Sequence, residues 1–412
     1  MSKIEELIAK YCPDGVEYVK LGDCIKSLNT GLNPRQFFRL NTDDAANYYI
    51  TIREIHNNTI VVNEKTDLIN DEALKLCNNR SNLEKGDILF SGTGTIGEVA
   101  ALEETPINWN IKEGVYAIKP IPNILNYRFL MYLLQSNKIR QEYLKKAAGG
   151  TVKSVPMGEM KKLEIPLPPL PIQEEIVRIL DTFTELQAEL QAELQARQQQ
   201  YQYYRDNLLS FEGRTDVEWK KLGEVCQKTD NIKWKTTTET YQYIDLSSVD
   251  IQTHSILSTI EIDKGSAPSR AQQIVKKDDV IFATTRPTQM RVCLIPSSYD
   301  GEICSTGYCV LRPNTSIILP QYLFFSLAVE DFKVYLSNNL TMGNYPSISN
   351  STLKEYELPI PSLAEQQKIV DILDRFDTLV NDLSQGLPAE IEARRQQYEY
   401  YRDKLLTFKR KA

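Results

Sequence analysis

The chain contains itself twice. Residues 166–186, PLPPLPIQEEIVRILDTFTEL, return as PIPSLAEQQKIVDILDRFDTL at 359–379, an offset of 193. ARQQQYQYYRDNLLSF at 196–211 returns as ARRQQYEYYRDKLLTF at 393–408, an offset of 197. Shorter echoes mark the front of each copy. GVEYVKLGD (15–23) answers DVEWKKLGE (216–224), and KGDILFSGT (85–93) answers KDDVIFATT (277–285). Self-similarity at this period constrains the fold strongly, because both copies must solve the same packing problem. The 412 residues therefore divide into two units, each of ordinary domain size or larger.

Each unit has two parts. The first mixes short β-branched and aromatic runs with turn signals, at 48–52, 59–62, 88–90 and 115–118, then at 280–283 and 309–312 in the second copy. A helical stretch follows in each, around 126–147 and 320–337, so the block reads as α+β. The second part is a long helix. Ile176, Leu180, Phe183, Leu186, Leu190 and Leu194, then Tyr201, Tyr204, Leu208 and Phe211, follow the spacing of one packing stripe. Pro171 suits its first turn, and Ser362 with Glu365 forms a capping-box pattern at the equivalent place. About 41 helical residues make a rod roughly 60 Å long. LQAE occurs twice, at 186–189 and 190–193, and reads either as a plain helix-compatible stretch or as a length ruler. In the second copy Gly386 and Pro388 should kink or break the rod. The boundaries read as mixed blocks at 1–155 and 213–352 and helical spacers at 156–212 and 353–412.

Composition excludes several function classes. Seven scattered cysteines form no CxxC pair, which fits a reducing cytoplasm. No apolar run approaches a membrane span, and the opening MSKIEELIAK lacks the basic and apolar regions of a secretion signal. The two histidines, His56 and His254, cannot build a His-rich metal site, and a structural or surface role is expected for each. Net charge is −7, and its excess acid sits mainly in 156–212, which holds 5 basic against 10 acidic side chains. The two mixed blocks are near neutral, so composition alone shows no basic face. Gly92 to Gly97 spells GxGxxG after a predicted strand, but the chain continues EVAALEETP without room for a nucleotide-binding helix. A tight turn is the expected structure there. No phosphate-binding loop and no nucleophile elbow occurs. The chain reads as a binder.

The paired motifs, together with GDILFSGTGTIGEVA at 86–100 and KLEIPLPPLPIQEEIV at 162–177, resemble the specificity subunits of type I restriction–modification systems over nearly the whole chain. That resemblance implies two tandem target-recognition domains separated by two long antiparallel helices, related by a pseudo-twofold axis. It implies a chain without its own active site or cofactor. Its partners would be double-stranded DNA, two modification subunits carrying S-adenosylmethionine, and restriction subunits using ATP and Mg. Because the two blocks diverge, the two DNA half-sites should differ.

Candidate base readers are loop residues of the types that pair with guanine or adenine edges. These are Arg35, Arg39, Arg53, Thr93 and Asn110 in the first copy. In the second they are Lys233, Lys235, Thr285, Arg286, Gln289 and Arg291, with TTRPTQMR (284–291) the richest segment. Candidate docking residues for the modification subunits are Gln173, Tyr203, Tyr204, Gln366, Tyr400 and Tyr401, with core packing as the alternative for each. Two other classes compete with a DNA-reading subunit: a coiled-coil scaffold whose blocks bind proteins, and an enzyme built on the Gly92–Gly97 loop.

Overall fold

The computed structural model describes residues 3–341, 343, 345–381 and 386–411. The chain folds into two compact units, one of residues 1–188 with 393–412, the other of residues 189–392.

In the first unit a four-stranded antiparallel sheet runs in the order Ile25–Thr30, Val115–Pro120, Ile88–Ser91, Val99–Ala101. A three-stranded sheet has Asn47–Ile50 at its centre, parallel to Trp109–Ile111 and antiparallel to Leu68–Ile69. A ribbon of Tyr18–Lys20 with Glu164–Pro166 ties the front of the block to the base of the rod. The second unit repeats this plan. Its first sheet runs Cys226–Gln227, Tyr308–Pro313, Val280–Ala283, Val292–Leu294, and Glu218–Lys221 pairs with Glu357–Ile360. Its other sheet places Tyr241–Ile244 parallel to Ile303–Ser305 and adds an edge strand, Ala271–Ile274. The fold is the expected α+β tandem.

The repeated Lys-x-Asp motif earns its recurrence inside the sheet. Asp87 is 1% exposed, accepts the Glu84 N–H and faces Lys119 at 3.2 Å. Asp279, also 1% exposed, accepts the Lys276 N–H and takes two bonds from Arg312 at 2.9 and 3.0 Å. A buried carboxylate needs such a partner. Burial nonetheless pushes the Asp87 carboxyl above its usual range.

Leu170–Leu208 is one continuous helix of 39 residues, about 58 Å long. After Pro171 in its first turn it contains neither glycine nor proline and is rich in Leu, Ala, Gln, Glu and Arg, all strong helix formers. The apolar stripe is interrupted at the LQAE repeat, where Leu186 is 48% exposed, and resumes at Leu194 and Tyr201. In the second rod the described residues form two helices, Leu363–Asn381 and Leu387–Leu405, with 382–385 outside the described residues, Gly386 in a bend and Pro388 in the opening turn of the latter, where a proline is tolerated. The capping box at Ser362 is half formed. The Glu365 N–H donates to Ser362 Oγ at 3.3 Å, while the Glu365 carboxylate turns to Arg214.

Each unit is completed by residues from the other sequence copy. In the first unit Phe183 stacks on Tyr401, with ring centroids 5.7 Å apart, and Tyr398, Leu406 and Phe408 join the core. In the second, Phe376 stacks on Tyr204 at 5.7 Å, and Leu194, Tyr201, Leu209 and Phe211 join the core. Within each unit, the start of one rod thus meets the end of the other.

A buried amide anchors each rod to its block. Gln173 and Gln366 are both 0% exposed. Gln173 accepts the Asn126 N–H at 2.8 Å and donates to the carbonyls of Ile124 and Pro168. Gln366 accepts the Leu319 N–H at 2.9 Å and donates to Ile317 and Pro361. These glutamines are internal clamps and present nothing to a docking partner, so that expectation is corrected: the amides serve loop backbone groups that the proline-rich turns leave without other partners.

Two outcomes follow. Gln173→Ala or Gln366→Ala leaves a buried N–H and two carbonyls unsatisfied, at a cost of about 2–4 kcal/mol. The affected unit should melt on the order of 5–12 °C lower by calorimetry. Glu175, 4% exposed on its side chain, is held by Arg178 and then Lys3 well below the usual carboxylate range, to about 2. Its folded-state value is depressed, so its stabilising contribution is present above the ordinary carboxylate range and lost as pH falls toward 2. Glu175→Gln should lower the melting midpoint of the first unit at pH 7, and the difference from wild type should shrink through that acidic window.

Candidate nucleic-acid interface

The strands Ile88–Ser91 and Val280–Ala283 end in loops that occupy equivalent places in the two units. In each, the loop is fastened to a second loop that leads into the ribbon. In the first unit the Gly92 N–H donates to Gly114 at 2.8 Å, the Gly94 N–H to Lys153 at 2.9 Å, and the Val155 N–H to Gly92 at 2.9 Å. In the second unit the Thr284 N–H donates to Gly307 at 2.8 Å, the Arg286 N–H to Pro346 at 2.7 Å, and the Ile348 N–H to Thr284 at 2.9 Å. Ala148 and Ser154 exchange two bonds below the first pair, and Thr341 and Ser347 exchange two below the second. One backbone scaffold therefore carries two unrelated sequences at its tip.

Gly92 lies under the Tyr116 ring, where a Cβ would come within 2.2 Å of the ring, so only glycine fits. Gly94 sits at φ +81° with open space around it. The chain then returns as the strand Val99–Ala101 rather than opening a helix. The glycine run is a hairpin turn, and the nucleotide-enzyme reading loses the helix N-terminus it needs.

The candidate base readers divide into three groups. Thr93 and Thr285 are half-buried, bridged to Ser154 and Ser347, and stand at matching positions of the two loop pairs. Arg286 and Gln289 are exposed beside them, and the Arg286 guanidinium lies 4.8 Å over the ring of Tyr345, itself 63% exposed. Arg35, Arg39, Lys233 and Lys235 are exposed elsewhere in their units, with Arg35 on the short helix Pro34–Phe37. Arg53 is exposed but ion-paired to Asp67 at 2.8 Å.

Two candidates are corrected. Asn110 is 0% exposed and accepts from Ser81 Oγ and the Ile111 N–H while donating to Asn78, so it organises the core and cannot reach a base. Arg291 is half-buried, and its guanidinium donates to the Val249 carbonyl, which ties it into the fold. Tyr345 and Val152, exposed at equivalent points of the two loop tips, escaped the sequence reading. Their only signal was a register inferred from Ser154 and Ser347, and no side-chain motif carries it.

On the rods, Tyr203 and Tyr400 are 66% and 62% exposed, each edge-on to its neighbour Tyr204 or Tyr401. Tyr204 and Tyr401 use one face on Phe376 and Phe183 and leave the other outward. His56 is exposed. His254 is largely buried against Phe324, and burial holds its imidazole below its ordinary value. The cysteines are free thiols, six of them buried. Burial pushes Cys293 up to about 12, the mark of inert packing thiols. Among the described residues no cluster of His, Cys, Asp or Glu could hold a metal ion, and no helix is long and apolar enough to cross a membrane.

The chain has clear relatives. It is 34% identical over 268 residues to the EcoR124I/EcoR124II specificity subunit of Escherichia coli, an alignment spanning 60% of this chain and 63% of that protein. A Haemophilus influenzae protein named for the same kind of subunit is 30% identical over 298 residues, covering 69% of this chain and 73% of its own length. Among solved structures, a chain from a study of complex assembly and conformational transition in a type I restriction–modification system superposes with a TM-score of 0.63. It shares 18% identity and covers 96% of this chain and 98% of its own, a likeness of fold. The family model described as the type I restriction modification DNA specificity domain matches residues 13–197 and again 215–393, one match for each sequence repeat. The chain belongs to the type I restriction–modification DNA specificity family.

Proposed function

We propose that the protein is the sequence-reading subunit of a type I restriction–modification complex, each unit reading one half of a split DNA target through its loop pair. The observation that carries this reading is the identical hydrogen-bonded loop scaffold in both units under divergent tip residues. A constant frame with variable tips is what two readers of different half-sites need, since backbone geometry positions and side chains specify. A twofold-repeated chain suits a target of two half-sites, as symmetric dimers do. The scaffold-protein alternative gives no reason for the frame to be preserved while its tips diverge.

Partners follow from the same reading. Two modification subunits would dock on the paired rods, one beside each of the tyrosine pairs Tyr203–Tyr204 and Tyr400–Tyr401, and would bring S-adenosylmethionine for methylation of adenine. Restriction subunits would bring ATP and Mg for translocation and cleavage. Near-neutral reading blocks then leave much of the phosphate contact to the modification subunits. A complex of this kind, acting on DNA, would work in the cytoplasm.

Long-read sequencing for N6-methyladenine tests the function. Cells carrying the cognate modification subunit should methylate a two-part motif only when this chain is present. Unchanged methylation despite normal co-purification would return the scaffold reading. Deleting one LQAE unit, residues 190–193, shortens the rod by about 6 Å and turns its far end by roughly 40°. The number of base pairs between the half-sites should then change while both half-site sequences persist, read from the same methylation maps.

A further inference from the structure

The loop scaffold places one residue of each unit at the same backbone position: Gly94 in the first, Arg286 in the second. Their N–H groups make the equivalent bonds, to Lys153 and Pro346. Both backbones are left-handed, at φ +81° and +50°. For glycine this costs nothing. For an arginine it costs about 1–2 kcal/mol, and strained residues of this kind cluster at functional sites where the surrounding structure holds them.

What Arg286 does with its side chain gives the strain a purpose. The guanidinium lies over the Tyr345 ring at 4.8 Å, and Tyr345 is 63% exposed. Among the described residues no carboxylate pairs with it. Arg286 is exposed, and its side chain makes no hydrogen bond among the described residues, so its N–H donors stay free for a ligand. In the first unit the matching tip carries bare Gly94 and Val152, which is 61% exposed and has neither charge nor donor on its side chain. The two tips differ most where the scaffold is most alike.

The geometry points to Arg286 as a guanine-reading residue of the second unit, with Tyr345 as the positioning residue that holds its guanidinium in plane. The major-groove edge of guanine offers O6 and N7 side by side, and an arginine fork matches that pair with two parallel hydrogen bonds. A stacked, unpaired guanidinium arrives already oriented, so less side-chain freedom is lost on binding. The equivalent tip of the first unit cannot make this contact. At those two positions it offers only apolar contact or backbone, while the exposed Lys153 and Thr95 that flank them hold no arginine fork. This inference rests on the proposed DNA-reading function and adds the base, the residue and the unit.

The test uses the assembled modification complex and methylation maps. The half-site belonging to the second unit is first assigned by exchanging residues 213–352 for the equivalent block of a relative. Arg286→Gly installs the residue that the first unit already uses in the same backbone conformation, so folding is retained, and an unchanged melting midpoint confirms it. Arg286→Lys keeps the charge and loses the fork. Both variants should relax one guanine of the second half-site to any base, with discrimination falling about 10- to 100-fold in competition between duplexes differing at that base. The first half-site should stay unchanged. Tyr345→Ala should relax the same position by a smaller factor, and Tyr345→Phe should restore it.

Three results would overturn the proposal: no relaxation in Arg286→Gly, relaxation at a position that is not guanine, or weakened binding to every duplex alike, which marks a phosphate contact. A wild-type chain that directs no methylation at all would instead overturn the DNA-reading function beneath it.

Discussion

Two buried glutamine amides decide how this protein is put together. A rod that is to carry a rigid block needs a joint that neither slides nor twists, and apolar packing alone is forgiving of both. Gln173 and Gln366 supply direction. Each accepts one N–H and donates to one carbonyl some fifty residues away in sequence, and donates to a second carbonyl five residues back, in a site where an unmade bond is expensive. The proline-rich approach, PLPPLP in one copy and PIPS in the other, limits the backbone donors nearby and leaves carbonyls for the amide to satisfy. With the joint fixed, the ribbons, the sheets and finally the reading loops inherit a defined attitude to the rod.

Much of this architecture was legible from the repeat. The strand at 280–283 was read residue for residue, and Pro388 stands in the first turn of Leu387–Leu405 with Gly386 in the bend before it. Helical stretches were read correctly in kind but not in continuity. The one around 126–147 is two helices, Tyr127–Gln135 and Asn137–Lys145, because Ser136 adopts an extended backbone and its hydroxyl bonds back to Leu133. Nothing in the one-dimensional pattern marks that break, since no glycine or proline sits there.

The site was legible only in part, for a physical reason. A polar side chain in a variable segment looks the same whether it faces solvent or satisfies the core. Asn110 is the clearest case. It was chosen for its amide, and its amide is wholly occupied by Ser81, Asn78 and the backbone. Arg291 was chosen for its charge, and the Val249 carbonyl holds it. Conversely, Tyr345 carries no motif, and its importance emerges only when two distant loops are seen to share a hydrogen-bonded frame.

The exchange of helical ends between repeats also governs the order of events during synthesis. The first unit encloses Tyr398, Leu406 and Phe408, and Val16 forms backbone bonds with Lys409 and Lys411. Those residues leave the ribosome some two hundred positions after the rest of that unit, a delay of roughly 10–40 s at ordinary elongation rates. Throughout that interval the first half of the protein must keep an apolar groove open. The second unit, whose borrowed segment precedes it in the chain, can close as it emerges. The half made first is therefore the half finished last, and the nascent protein depends on whatever shields that groove until its own tail arrives.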